Sequence, residues 1–393
     1  MSLRRVLLGV CAGIGAGYVA ARTVEAAREW RSPQPVVRTG PAAYARARRA
    51  IEVGQALRGV ASAVAMAYGP LGESLDAAVA GVPVWLRPLP FSLAVSAASA
   101  LADLPVAFVE DYALERRSGL SDRSREAWLS DYVKGAAISV GLTAFVATLL
   151  GWAIRRAPNA WPWLASAGTL PLFVVGNLVV PLYVMPLFNA FEPVTGSLER
   201  RLRALGEPLG VGDAEILRMD MSRQTRKANA FVTGIGTTHR IVLGDTLIDA
   251  FPEDEVAFVV AHEIGHYVSR DTWRLIAAGE ALAAGLFLIA RMATPKRVRE
   301  LLRDRPLLIA RSYATMLVAT QALRPVLLAF SRSREWAADR FATGVTRDPQ
   351  TGASALRRLR DQNLADDDPP LWYELLFGSH PSLKARIEAL ERS

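Results

Sequence analysis

Apolar and polar positions divide the chain into two kinds of segment. The first is a run long enough to cross a bilayer, which takes about 20 apolar residues. Ala157 to Phe191 is the clearest case, 35 residues without a charge that include LPLFVVGNLVVPLYVMPLF. Gly135 to Ile154 is a second run, and Pro88 to Val109 a third, interrupted only by Asp103. Val6 to Ala21 follows Arg4 and Arg5. It fits a signal peptide or a retained first span, and the lack of a convincing cleavage site favours the span. Two weaker runs come late, Ile276 to Ala290 with Glu280 inside it and Pro306 to Phe330 with Arg311 and Arg324. Charges inside a span are costly unless they face protein or water. These two therefore read as membrane helices around a polar interior, or else as buried helices of a soluble part.

The second kind of segment has shorter periods. SLERRLRALGEPLGV predicts a helix, and EILRMDMS, KANAFVTGIG and HRIVLGDTLI predict three strands with a turn at Gly234 and Gly236. FPEDEVAFVVAHEIGHYV predicts a helix: Pro252 suits its first turn, and Glu253, Asp254 and Glu255 suit the positive end of its dipole. SRSREWAADRFA predicts another helix, followed by an acidic loop, DDDPP, and a closing helix, HPSLKARIEAL. The expected fold is mostly α, a polytopic α-helical membrane protein with an inserted α+β part built on a small antiparallel sheet. Its divisions are 1–191, a membrane region of about four spans with a loop at 110–134; 192–272, the first part of the inserted domain; 273–330, two further membrane helices; and 331–393, the second part.

Composition agrees with a hybrid, since apolar residues are 51% and charged residues 21%, with a mean hydropathy of +0.19. The net charge of +8 is carried by arginine in clusters beside apolar runs. That suggests membrane flanks, and no aromatic-basic groove pattern argues for nucleic acid. The loop 110–134 holds Arg116, Arg117, Arg123, Arg125 and Lys134, whereas the next short loop holds only Arg155 and Arg156. Basic loops stay inside, so 110–134 and everything after Phe191 are expected on the cytoplasmic side of a cell membrane. RMATPKRVRELLRDR disagrees with this if both late runs cross. It is then a surface helix, or the two runs do not fully cross. Cys11 is the only cysteine, so a metal site must use histidine and carboxylate.

Chemistry concentrates in FVVAHEIGHYVSRD, which puts two of four histidines four residues apart. On a helix His262 and His266 lie one above the other and can point two imidazoles at one ion. Glu263 is about 100° round the axis, free to act as a base on the attacking water. Gly265 leaves room beside the ion. A chance polar face is the plain alternative, and HExxH in a histidine-poor chain makes it a weak one. A catalytic zinc usually has three protein ligands. The third could be His239, His380 or a carboxylate. Glu335 can be that ligand, with Asp339 on the same helix face holding a histidine; on composition alone a solvated Glu-Asp face is the plainer reading.

AHEIGHYVSRD followed by SRSREWAADRFA resembles the glutamate-liganded zincins of the type I CAAX prenyl endopeptidase family. FVEDYALERRSGLSDRSREAWLSDYVKG, PLFNAFEPVTGSLERRL, KANAFVTGIGTTHRIVLGDTL and HPSLKARIEAL are similar to its other blocks, in order, from about Glu110 to Leu390. The resemblance implies a zincin-like α+β metalloprotease domain with one Zn2+ per chain on His262, His266 and Glu335. It makes Glu263 the catalytic base and puts His380 beside the scissile bond. It places Asn229 and Ala230 on an edge strand that pairs with an extended substrate, and Arg386 near the substrate backbone. Without it, a turn asparagine, a capping histidine and a solvated arginine are the plainer readings. Eukaryotic members often have a histidine where Asp271 stands, and seven spans against the six runs counted here.

The expected function is a membrane-integrated zinc metalloendopeptidase acting on membrane-associated or lipidated polypeptides, with peptide or protein substrates and the bilayer as partners. A quality-control protease of the heat-shock type is the alternative with shared chemistry. A non-catalytic membrane scaffold, or a transporter using Glu280, Arg311 and Arg324, is an alternative of another class.

Overall fold

The computed structural model describes residues 3–31, 39–234 and 239–393; the turn glycine Gly236 lies outside them. Seven long helices dominate the described residues. They are Leu3–Arg31, Pro41–Tyr68, Pro88–Ala107, Arg125–Arg156, Trp161–Val179, Asp271–Ala293 and Leu307–Thr346. A π-helical turn at Phe108–Ala113 extends the third of these to Arg117. Four are long and apolar enough to cross a membrane, Pro88–Arg117, Arg125–Arg156, Asp271–Ala293 and Leu307–Thr346. Trp161–Asn177 and Val180–Leu187, bent by 43° to one another, pass the same test together and make a fifth if the pair is one span. The segment Val6 to Ala21 falls inside Leu3–Arg31.

Pro41–Tyr68 was not visible as an apolar run, because Arg46, Arg48, Arg49, Glu52 and Arg58 interrupt it. The described residues of region 1–191 thus hold five long helices where hydropathy shows four runs. The charges of this helix are matched by neighbours. Arg58 pairs with Asp103, Arg49 pairs with Asp366, and Glu52 accepts from Tyr373 Oη at 2.6 Å. The helix is therefore stitched both to the bundle and to the C-terminal segment.

Each long helix packs on at least two others, and the main pairings close a circuit. Its order is Pro41–Tyr68, Leu3–Arg31, Pro88–Ala107, Arg125–Arg156, Trp161–Val179, Asp271–Ala293, Leu307–Thr346 and back to Pro41–Tyr68. Large apolar side chains such as Leu142, Phe145, Trp152 and Trp163 stay exposed, as a lipid-facing surface requires. The late charged residues turn to protein. Glu280 accepts from Ser166 Oγ and, at 2.6 Å, from Thr169 Oγ1. Arg311 donates to the Ala67 carbonyl at 3.1 Å, and Arg324 lies over the Phe377 ring at 4.6 Å. These contacts are those of packed helices and leave the transporter reading without a distinct carrier group. RMATPKRVRELLRDR forms the short helix Lys296–Leu302 between the two late spans.

The inserted domain is built on four strands, β1 (Phe191–Pro193), β2 (Glu215–Met219), β3 (Ala230–Thr233) and β4 (Arg240–Gly244), in the order β1-β2-β4-β3. The sheet is mixed, not antiparallel as expected, since β2 and β4 run parallel with Glu215 opposite Arg240 and Met219 opposite Gly244. The reason lies in the loop after β2, which carries the chain past the central position to the far edge. β3 forms there and its hairpin returns β4 to the middle. Ser222 N–H anchors this loop on Asp245 Oδ1 at 2.9 Å.

The helix Glu253–Val268 lies on the sheet, and its apolar face meets Leu202, Ile241, Leu243 and Leu247 in the main core. Its far side receives Leu307–Thr346. Gly265 permits that approach: a Cβ there would meet the Phe341 side chain at 3.0–3.3 Å. The space beside Gly265 thus belongs to helix packing and not, as expected, to an ion. Three short helices close the domain, Pro349–Asn363, Leu371–Phe377 and Leu383–Glu391. The last is capped by Ser382, which accepts from Ala385 N–H at 3.2 Å, so neither Ser379 nor His380 is its cap.

Candidate metal centre

Two helices meet at the site. Glu253–Val268 brings His262, Glu263 and His266, and Leu307–Thr346, continuous from the membrane region, brings Glu335 and Asp339. The 40-residue length of the second helix matters, because one rigid rod carries a span and a metal donor. His262, His266 and Glu335 offer donor atoms that all lie within 4.8 Å of one another.

Each histidine is oriented by a carboxylate. His262 Nδ1 lies 2.9 Å from Asp339 Oδ1, and His266 Nδ1 lies 2.9 Å from Asp271 Oδ2. Both carboxylates lie on the Nδ1 side, Asp271 with hydrogen-bond geometry and Asp339 at ion-pair distance without it, so both Nε2 atoms face inward, 3.3 Å apart. Glu335 completes the triangle, with Oε2 at 3.4 Å from His262 Nε2 and Oε1 at 3.4 Å from His266 Nε2. Tetrahedral ligands at about 2.0–2.2 Å from a zinc ion stand roughly 3.3–3.6 Å apart. The edge between the two Nε2 atoms falls in that range, and each Nε2 has one of the two Glu335 oxygens at a similar distance. Glu335 Oε2 is buried without a hydrogen-bond partner among the described residues, and the cation nearest it is Arg386 Nη1 at 3.3 Å. The donor set fits a first-row divalent metal.

The carboxylates are themselves held. Arg386 Nε and Nη2 donate to Asp339 Oδ2 and Oδ1 at 2.8 and 2.7 Å, and its Nη1 is 3.3 Å from Glu335 Oε2. Arg386, 6% exposed, is thus paired with two carboxylates, although it also lines the cleft. Asp271 accepts from Arg334 Nε at 2.7 Å. Sequence reasoning registered Asp271 only as a departure from a family pattern and passed over Arg334. Arg270 takes a left-handed φ of 54°, and this sharp turn between the helices sends Asp271 back to His266. A carboxylate five residues after the second histidine, just past the helix end, was the available signal.

A cleft of about 410 Å³ opens onto the donors, lined by Glu263, Asn229, Ala230, Asn363, Tyr373 and His380 among others. Burial pushes the Glu263 carboxyl above its ordinary range. The His380 side chain is 60% exposed, with Nδ1 at 2.8 Å from Ser379 Oγ and Nε2 at 3.4 Å from Glu335 Oε1. Ala230 opens β3, which is the edge strand, and Asn229 immediately precedes it. His239, weighed as a ligand, sits instead against Asp213 at 3.1 Å and beside Tyr267. The arrangement can bind one cation with two nitrogens and a carboxylate, beside a further carboxylate and along an unpaired strand edge.

Residues 193–393 match the model of peptidase family M48, and residues 40–190 match that of the CAAX prenyl protease N-terminal region, described as five membrane helices. A protease HtpX homolog of Nostoc punctiforme is 32% identical over 286 residues, covering 67% of this chain and 96% of that one. A CAAX prenyl protease 1 homolog of Oryza sativa subsp. japonica is 29% identical over 321 residues, 78% and 73% of the two chains. The crystal structure of S. mikatae Ste24p superposes with a TM-score of 0.80 at 21% identity, over 98% of this chain and 99% of that one, and so shares the fold.

Proposed function

The chain belongs to peptidase family M48 and is a membrane-embedded metalloprotease; on that premise we propose that it is a zinc endopeptidase cleaving membrane-associated or lipid-modified polypeptides at the cytoplasmic face. The observation that carries the reading is the convergence of His262, His266 and Glu335, whose donor atoms lie within 4.8 Å of one another with the two Nε2 atoms 3.3 Å apart, in the same cleft as Glu263 and the β3 edge.

Zinc, when bound, supplies a Lewis acid that makes a water molecule acidic near neutral pH and polarises a peptide carbonyl. His262, His266 and Glu335 hold it, with Asp339 and Asp271 fixing the two rings and Arg386 fixing Asp339. Glu263 takes the proton of the attacking water and returns it to the departing amine. His380, at the open side, donates to the oxyanion of the tetrahedral intermediate. Backbone groups at Ala230 pair with the extended substrate, and Asn229 stands beside the first paired residue. Residues 192–272 and 331–393 then form one protease domain, with 1–191 and 273–330 as the membrane region.

The match of residues 40–190 to the CAAX prenyl protease N-terminal model favours a lipidated substrate over a general membrane-protein quality-control role. The test is an assay of purified protein, with and without zinc, on matched S-farnesylated and unmodified peptides. Zinc-dependent cleavage with a preference for the farnesylated peptide is expected. Equal rates on both would favour the quality-control reading, and cleavage of neither would end the peptidase assignment.

A further inference from the structure

The free edge of β3 is closed at one end by a side chain. Gly244 N–H donates to the Asn229 carbonyl at 2.9 Å, so these two form a hydrogen-bonded pair in the antiparallel ladder with β4. Hydrogen-bonded and non-hydrogen-bonded pairs alternate. Phe231 and Thr233 therefore also face β4, whereas Ala228, Ala230 and Val232 turn their N–H and C=O groups the other way. At Ala228 both groups are taken. Its N–H donates to Asn363 Oδ1 at 2.8 Å, and Asn363 Nδ2 donates to its carbonyl at 3.1 Å. One amide side chain makes the two bonds that a peptide unit of a further strand would make. Its orientation is fixed, because exchanging O and N would set donor against donor and acceptor against acceptor.

Asn363 is well placed to hold this position. It is the last residue of the helix Pro349–Asn363, which Leu364 ends in a left-handed turn at φ 48°. Gln362 beside it donates to the carbonyls of Arg226 at 2.8 Å and Thr246 at 3.1 Å. Ala228, Asn229, Ala230 and Asn363 all line the cleft of the metal centre.

We propose that Asn363 is a specificity-determining residue that ends the substrate's strand pairing at Ala230, and so limits how many residues of an extended peptide are held on one side of the scissile bond. The inference rests on the proposed peptidase reading of the cleft. Outward-facing positions on a strand are two residues, about 6.8 Å, apart. A bound peptide accordingly pairs in steps of two residues. The step at Ala230 is available, and the next would need Ala228, where Asn363 already sits. Further residues must leave the edge there. A purely structural clamp is the alternative, but the same loop has other anchors. Arg226 N–H donates to the Leu120 carbonyl at 2.7 Å, and Lys227 Nζ reaches Tyr44 Oη at 2.8 Å and Glu115 Oε2 at 2.8 Å.

The experiment uses full-length wild type and Asn363→Ala, zinc-loaded in proteoliposomes. A farnesylated parent peptide is lengthened two residues at a time, in one series on the N-terminal side of the scissile bond and in a second on the C-terminal side. In wild type, one series stops gaining kcat/KM at the step that would reach Ala228. In Asn363→Ala that same step gains about fivefold or more, the worth of one or two backbone hydrogen bonds, and the other series keeps its wild-type profile. Asn363→Ser, too short to span both Ala228 groups, is read in the same way should the alanine variant not fold. A length dependence parallel to wild type in both series, whatever the absolute rate, overturns the inference, and so does a gain in both. Failure of the peptidase reading is separate, since wild type would then cleave no peptide of either series.

Discussion

Replacing Asp271 by alanine measures how far the turn after the metal-site helix sets metal affinity. Asp271 is 3% exposed and has two tasks, holding His266 Nδ1 at 2.9 Å and accepting from Arg334 at 2.7 Å. Without the carboxylate the His266 ring loses the partner that fixes its orientation and tautomer. Loss of such a partner typically weakens metal binding about 10–100-fold, or roughly 1.4–2.8 kcal/mol. The lower end applies here, because the His266 side chain is 25% exposed and water can replace the partner at Nδ1. The expected loss is about tenfold. Asp339→Ala is the comparison. That residue is 4% exposed and holds Arg386, which is 6% exposed, by two hydrogen bonds, so its removal leaves the buried guanidinium with Glu335 alone, at a cost at or below the low end of the about 3–5 kcal/mol for breaking a buried pair. Equilibrium competition for zinc against a chromogenic chelator gives the first number, and thermal melting gives the second. The reasoning is refuted if Asp271→Ala binds zinc within twofold of wild type, or if Asp339→Ala melts as wild type does.

Gly265→Ala should lower the melting temperature by no more than a few degrees, because its Cβ would press on Phe341 at 3.0–3.3 Å at an overpacking cost of about 1–3 kcal/mol that is offset by the helix gain of about 0.5–1 kcal/mol of Ala over Gly; a higher melting temperature would show that Phe341 yields freely. His380→Ala should fold and hold zinc yet turn over at least tenfold more slowly, whereas Ser379→Ala should leave stability intact, the cap being Ser382; wild-type turnover in His380→Ala would remove the oxyanion role. In a Cys11→Ser background, single cysteines at positions 220 and 360 should both react with an impermeant maleimide from the cytoplasmic side, and labelling from opposite faces would rule out the proposed topology.

What the sequence could show depended on the range of each interaction. The HExxH helix was legible because its period, its acidic first turn and its two histidines all lie within one stretch. The apolar runs were legible because each span carries its own composition. Pro41–Tyr68 was not, since its charges are matched by Asp103, Asp366 and Tyr373, far away in the chain. β1 is three residues long with a proline, too short for a strand signal, and the parallel pairing of β2 with β4 depends on the path of a loop. Glu335 and Asp339 could be placed on one helix face, but the bidentate hold of Arg386 on Asp339 spans 47 residues and has no local pattern. Gly265 was assigned to the ion because the partner that fills its space, Phe341, lies on a helix 76 positions on (341 − 265).

The central claim is that this site hydrolyses peptide bonds with a metal held by His262, His266 and Glu335 and a proton carried by Glu263. The most direct test is Glu263→Gln, purified beside wild type, with metal content measured by mass spectrometry and turnover on a farnesylated peptide. Both proteins should carry one zinc per chain, and only wild type should cleave, losing activity on chelation and regaining it with zinc. Wild-type turnover by Glu263→Gln, or wild-type activity that survives complete removal of metal, would contradict the claim.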